Sequence, residues 1–175
     1  AVSSALGFGE MGSSYLLAHG LGTPVEDAVT KIEIPQSGQY RIFVRTKNWT
    51  APWADKEKHA PGAFRLRIEG RDGDTLFGTG DPEWHWQAGG TTYLTEGVHQ
   101  VALHDLAGFD ARCDAILFTL HDVAPDDSLE TVFRLRNNLL RLPAEPEQRG
   151  TFDFVVAGGG VAGMCAAIAA ARQGL

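Results

Sequence analysis

The chain has 175 residues, 43% of them apolar, enough for one packed domain with room for a small extra piece. Its 15 basic residues are outnumbered by 22 acidic ones, for a net charge of −7, and no basic cluster occurs. That excludes nucleic acid and an anionic membrane surface as partners, and no apolar run approaches the length of a membrane span.

Residues 1–28 are glycine-rich and read as irregular, with a small apolar patch at Tyr15, Leu16 and Leu17. Gly7-Phe8-Gly9-Glu10-Met11-Gly12 fits G-x-G-x-x-G, but no strand precedes it and a poor helix former follows, so it is set aside. From residue 29 the pattern changes to period two. Ile32 and Ile34 alternate with Lys31 and Glu33; Tyr40, Ile42 and Val44 face away from Arg41 and Arg45; Phe64, Leu66 and Ile68 alternate with Arg65, Arg67 and Glu69. Further strands are expected at 75–77, 84–87, 91–94, 98–103 and 114–120, parted by turns at 70–73, 89–90, 96–97 and 107–108. Short alternating strands with close turns predict an antiparallel β-sandwich or jelly roll over 1–124.

Asp126-Asp127-Ser128 offers an N-cap, and Leu129, Val132, Phe133, Leu135, Leu139 and Leu140 give a helical apolar set ending near Leu142. Pro143 and Pro146 then mark a spacer, so residues 125–150 read as a linker helix and Pro-rich connection. In 151–175, Asp153-Phe154-Val155-Val156-Ala157 reads as a strand. Gly158-Gly159-Gly160-Val161-Ala162-Gly163 follows it, and then an alanine-rich helix through Arg172. Each glycine has a role in a phosphate-binding turn. Gly158 allows the tight exit from the strand, Gly160 lets a pyrophosphate approach backbone N–H groups, and Gly163 lets helix and strand pack closely. Cys113 and Cys165 fall in different units, so no structural disulfide is expected.

On these residues the segment resembles the opening βα unit of FAD-dependent oxidoreductases. The third consecutive glycine and the Ala-Ala spacing favour the flavin type over the nicotinamide type. The resemblance implies a Rossmann-type unit whose turn, Gly158, Gly159, Gly160, Val161, Ala162 and Gly163, holds the FAD pyrophosphate. A complete βαβ unit needs roughly 30 or more residues, and the acidic ribose partner lies about 20 residues past the motif. The segment is therefore expected to be a truncated unit whose partner is the remainder of the flavin domain, in cis or on another chain.

A second resemblance covers most of residues 11–124. Gly38-Gln39-Tyr40-Arg41-Ile42-Phe43-Val44-Arg45-Thr46, Pro61-Gly62-Ala63-Phe64, Trp84-His85-Trp86 and 108–116 are similar to the jelly-roll modules found beside carbohydrate-active enzymes. Such modules precede the flavin domain in one group of bacterial FAD-dependent oxidoreductases, which implies an extracytoplasmic setting. They usually open with a strand carrying an acidic residue that can help hold calcium; residues 1–12 show no matching strand, so no metal ligand is carried over.

Trp49 and Trp53 flank a loop and are the candidate sugar contacts, although loop tryptophans also plug the ends of sandwiches. Trp84 and Trp86, two apart, are expected in the core. Arg112 and Asp114 suggest a salt bridge or a turn-closing hydrogen bond. His104-Asp105 and His121-Asp122 are neighbours whose side chains diverge in a strand, so neither is a dyad, and no His/Cys spacing fits zinc. No catalytic residue emerges. The leading expectation is the N-terminal part of an FAD-dependent oxidoreductase, inactive as this chain alone. The alternative is a carbohydrate-binding or structural β-sandwich module without catalytic activity.

Overall fold

A computed structural model describes residues 2–4, 10–12, 14–50, 61–143, 145 and 147–175. The chain divides into two compact units, Ala1–Leu140 and Arg141–Leu175.

The first unit is a sandwich of two antiparallel sheets. Its strands are β1 (Val2–Ser4), β2 (Tyr15–His19), β3 (Ala28–Ile34), β4 (Gly38–Thr46), β5 (Phe64–Ile68), β6 (Arg71–Asp72), β7 (His85–Leu94), β8 (Gly97–Asp105) and β9 (Phe109–Thr119). One sheet runs β1-β2-β9-β4-β7 and the other β3-β8-β5-β6. The period-two pattern positions the core: Phe64 and Leu66 are buried while Arg65 and Arg67 point outward. With Ile42, Val44, Phe77, Val101, Ala111 and Cys113 they form the contact between the sheets. Burial, with a smaller push from the Asp114 charge, raises the Cys113 thiol to about 12, so this cysteine is inert; Cys165 is exposed, and both are free.

Four expectations change. Residues 1–28 are not irregular throughout, because β1 pairs with β2 and β2 with β9; their glycines hid the alternation. Residues 75–77 form only an isolated bridge, Phe64 to Phe77. Arg71 and Asp72 form a short strand rather than a turn, the reversal falling on Glu69 (φ 49°) and Gly70 (φ 76°). The segments 84–87 and 91–94 are one strand, β7, because Gly89-Gly90 is a bulge and not a turn. The register against β4 shifts there, and a Cβ on Gly89 would meet the Phe77 ring at 2.7 Å.

The helix α1 (Leu129–Leu139) forms as expected but stops before Leu142. It belongs to the first unit, where Val132 is fully buried. Capping is less direct than the acidic pair suggests. Ser128 makes no side-chain cap bond, while Asp126 accepts from the Ser128 N–H and hydroxyl. Asp127 turns to Arg45 and to the Trp86 N–H.

Arg45 is the polar centre of this layer. Only 1% exposed, it places Nε 3.3 Å from Asp114 Oδ2 and Nη1 3.2 Å from Asp127 Oδ1, with its guanidinium 5.8 Å from the Trp86 ring. Burial raises the Asp114 carboxyl above its usual value, opposed by the Met11 N–H and Arg45 and reinforced by the neighbouring charge of Glu10.

In the second unit, helix α2 (Val161–Arg172) follows Gly160 directly. The strand expected over 153–157 does not form: among the described residues its backbone has no neighbouring strand to pair with, whereas a helix closes its hydrogen bonds within itself. The described residues thus contain a glycine turn and a helix but no Rossmann βα unit. Val155 is 71% and Ile168 50% exposed, and Val156 is half-buried. No helix among the described residues is long and apolar enough to cross a membrane.

Candidate functional site

The loop end of the sandwich that follows β4 and precedes β9 gathers unusual features. Trp49, half-buried, donates its indole N–H to the Phe109 carbonyl at 3.2 Å and stacks on the Phe109 ring, centroids 5.4 Å apart at 28°. The Arg112 guanidinium lies 5.1 Å from the same indole. Gly62 passes so near that a Cβ there would be 3.1 Å from Trp49 Nε1 and from the Phe109 carbonyl. Phe109 and Arg112 thus both engage the Trp49 indole at this end of the sandwich. Trp53 lies outside the described residues.

Two donors beside Trp49 lack acceptors. Asn48 is 1% exposed; its backbone N–H donates to the Asp81 carbonyl and its Oδ1 accepts twice from Thr50, yet Nδ2 has no partner. Arg112 Nε is likewise buried and unpartnered, although the Arg112 carbonyl accepts from the Thr46 hydroxyl at 2.6 Å. A buried donor without an acceptor costs about 1–3 kcal/mol, so such atoms mark places where an ordered water or a ligand oxygen belongs. Asp110, at φ 58°, adds local strain and is held by His19 Nδ1 at 2.6 Å.

Trp84 is buried against Tyr15, ring centroids 5.1 Å apart, as expected of a core tryptophan; Trp86 is half-buried with its indole N–H unpartnered. The His-Asp neighbours separate as expected. His104 pairs with Asp27 at 2.8 Å, while Asp105 accepts from the N–H groups of Val25 and Gly108. Arg112 and Asp114 do not pair with each other: Asp114 faces Arg45, and Arg112 faces Trp49. Glu10, before β2, and Asp114 each keep one buried carboxylate oxygen without a partner. That is oxygen chemistry suited to a hard cation. No group of three or more metal-ligating side chains occurs among the described residues, and no metal site is assigned.

The glycine turn of the second unit has one strict steric requirement. A Cβ at Gly163 would sit 2.0 Å from the Gly158 carbonyl oxygen, whereas Gly159 and Gly160 face open space and Gly158 is at φ 114°. The first-turn N–H groups of α2 have no side-chain cap.

Sequence signals for Asn48, Asp110 and His19 were weak. Asn48 merely precedes a tryptophan, and Asp110 follows Phe109 in a stretch that alternation alone assigns to a strand mouth. Only the fold brings residue 19 to residue 110.

No protein-family model matches the sequence, and no curated protein matches it significantly. Solved structures do match. One is a GH26-CBM35 β-(1,4)-mannanase of Podospora anserina, at 16% identity and TM-score 0.51, aligned over 71% of this chain and 27% of the mannanase. This chain therefore spans about a quarter of that larger protein. Another is a family 35 carbohydrate-binding module from an environmental isolate, at 14% identity and TM-score 0.50, aligned over 71% of this chain and 86% of the module. The first unit has the sandwich fold of family 35 carbohydrate-binding modules.

Proposed function

We propose that the sandwich is a carbohydrate-binding module that acts outside the cytoplasm and has no catalytic group of its own. The observation that carries this reading is the shared fold with family 35 modules, one of them attached to a polysaccharide-degrading enzyme. The loop end supports it: an aromatic pair, Trp49 and Phe109, lies beside two unpartnered donors, and sugar rings offer C–H faces to aromatics and hydroxyls to donors. Phe109, 42% exposed, is the ring open to a ligand there, and Trp49 supports it from below. The test is titration of the 175-residue chain with a panel of neutral and acidic polysaccharides, followed by tryptophan fluorescence and affinity electrophoresis. Trp49→Ala is expected to weaken binding about tenfold or more, because it removes the stacked support and the Arg112 contact together. Absence of binding across the panel sinks the reading in favour of a purely structural module.

A second reading concerns residues 151–175 and rests on the close approach of Gly163 to Gly158 at the start of an uncapped helix. In a longer protein, Gly158 to Gly163 would hold the pyrophosphate of FAD, and the flavin would supply the redox chemistry. The remaining flavin domain, in cis or on another chain, would be the partner. Binding energy is then spread over a ribose partner and an isoalloxazine pocket that these residues do not provide. The 175-residue chain is accordingly expected to purify without flavin absorbance. Stoichiometric bound FAD would overturn that expectation.

A further inference from the structure

Phe109, the exposed ring of the Trp49 end, takes its direction from a single extra residue in β9. Against β2 the register runs Cys113 opposite Leu16, Arg112 opposite Leu17 and Ala111 opposite Ala18. Next comes Phe109 opposite His19, so Asp110 is left without a cross-strand partner. That is a β-bulge, and a slip of one residue reverses the alternation of side chains beyond it. Ala111 and Cys113 belong to the core between the sheets, and unbroken alternation would send residue 109 there with them. Arg112 would then lie on the opposite face. With Asp110 out of the count, Phe109 and Arg112 instead share a face. Both reach the Trp49 indole, the ring at 5.4 Å and the guanidinium at 5.1 Å.

The bulge is held from two sides. Before it, the Gly108 carbonyl accepts from the N–H groups of Gly20 and Gly22, and the Gly108 N–H donates to the buried Asp105 carboxylate. At the bulge itself Asp110 sits at φ 58°, in the left-handed region that favours glycine. A side chain there costs about 1–2 kcal/mol, aspartate being among the few that visit the region. His19 Nδ1 lies 2.6 Å from Asp110 Oδ1, across the same break in register. The effect reaches Trp49 through the Phe109 carbonyl, which belongs to the peptide bond with Asp110 and accepts the indole N–H at 3.2 Å.

We propose that His19 and Asp110 are positioning residues of the carbohydrate site: their hydrogen bond locks the bulge that turns Phe109 out of the core and onto the face of Trp49 and Arg112. The inference rests on the carbohydrate-binding reading of this end. Glycine at position 110 would permit the bulge, whereas aspartate held by histidine fixes it.

The full chain is tested with one readout of geometry and one of binding. The first is the Trp49 indole N–H resonance by heteronuclear NMR, identified by its loss in Trp49→Phe. The second is affinity electrophoresis in soluble galactomannan, arabinoxylan and polygalacturonate. Asp110→Gly and His19→Ala are each expected to shift the indole resonance in the absence of sugar and to weaken binding about tenfold, the scale of one aromatic contact. The double variant is expected to bind no worse than either single one, because both remove the same hydrogen bond. Asp110→Asn tolerates the left-handed region and still accepts from Nδ1, so it is expected to keep the wild-type resonance and affinity. Thermal unfolding checks that every variant is folded, and Asp110→Gly is unstrained at this φ. Wild-type affinity in both Asp110→Gly and His19→Ala overturns the role and leaves the site standing. Loss of binding in Asp110→Asn with an unmoved indole resonance also overturns it, since the carboxylate then contacts the sugar directly. If the wild type binds none of these polysaccharides, the carbohydrate reading falls and the role falls with it.

Discussion

Arg45→Met is expected to lower the unfolding free energy by about 3–5 kcal/mol, read as a shift in the urea midpoint at constant slope. Arg45 is 1% exposed and the Asp114 side chain 0% exposed, so the substitution leaves a carboxylate buried with only the Met11 N–H to hold it. Asp127 loses the same guanidinium. The double variant Arg45→Met with Asp114→Asn is expected to recover much of the loss, because the charge that made the vacancy costly is gone. The pH dependence has a definite sign. The Asp114 carboxyl is already raised above 3.8 in the folded protein, and losing Arg45 raises it further. Between the unfolded and folded values the native state therefore holds the extra proton, and stability falls as pH rises through that window. The deficit of Arg45→Met is expected to be smaller at pH 4 than at pH 7. A deficit that is flat with pH, or below about 1 kcal/mol, would show that Asp114 finds another partner.

Phe64→Ala is the second substitution of this size, with an expected cost of about 3–5 kcal/mol. Phe64 is 2% exposed, its ring lies 5.7 Å from that of Phe77, and the two residues exchange backbone hydrogen bonds of 3.1 and 2.9 Å. Neither sheet can collapse onto the vacancy without breaking that bridge, so a cavity remains. Phe64→Leu keeps most of the volume and is expected to cost less than about 1.5 kcal/mol. Equal losses for the two variants would mean that ring stacking, not volume, dominates.

Much of the sandwich was legible because its strands obey alternation: Phe64-Arg65-Leu66-Arg67 can hardly be anything else. Failures cluster at glycine. Gly89-Gly90 carries the same signal whether it turns a chain or bulges a strand, and only the Phe77 ring beneath Gly89 decides between them. The opposite outcome is found at 153–157, where an apolar run reads as a strand but has no neighbour to pair with among the described residues. At the site, residue types pointed to Trp49 but not to its neighbours Phe109 and Arg112, some 60 residues away in sequence.

The strand order also dictates a timetable. In the five-stranded sheet, β9 lies between β2 and β4 and hydrogen-bonds to both, yet it is made last. As the chain emerges from the ribosome, β1 and β2 can pair only with each other, and β4 only with β7, until residue 109 and its successors arrive. Two half-sheets with open flanks must therefore wait through most of translation. A fold closed by such distant partners forms slowly and all at once, and it is vulnerable to stray pairing while it waits. Ribosomes stalled before β9 should display a chain that proteases digest freely; release of a few dozen more residues should make it resistant in a single step.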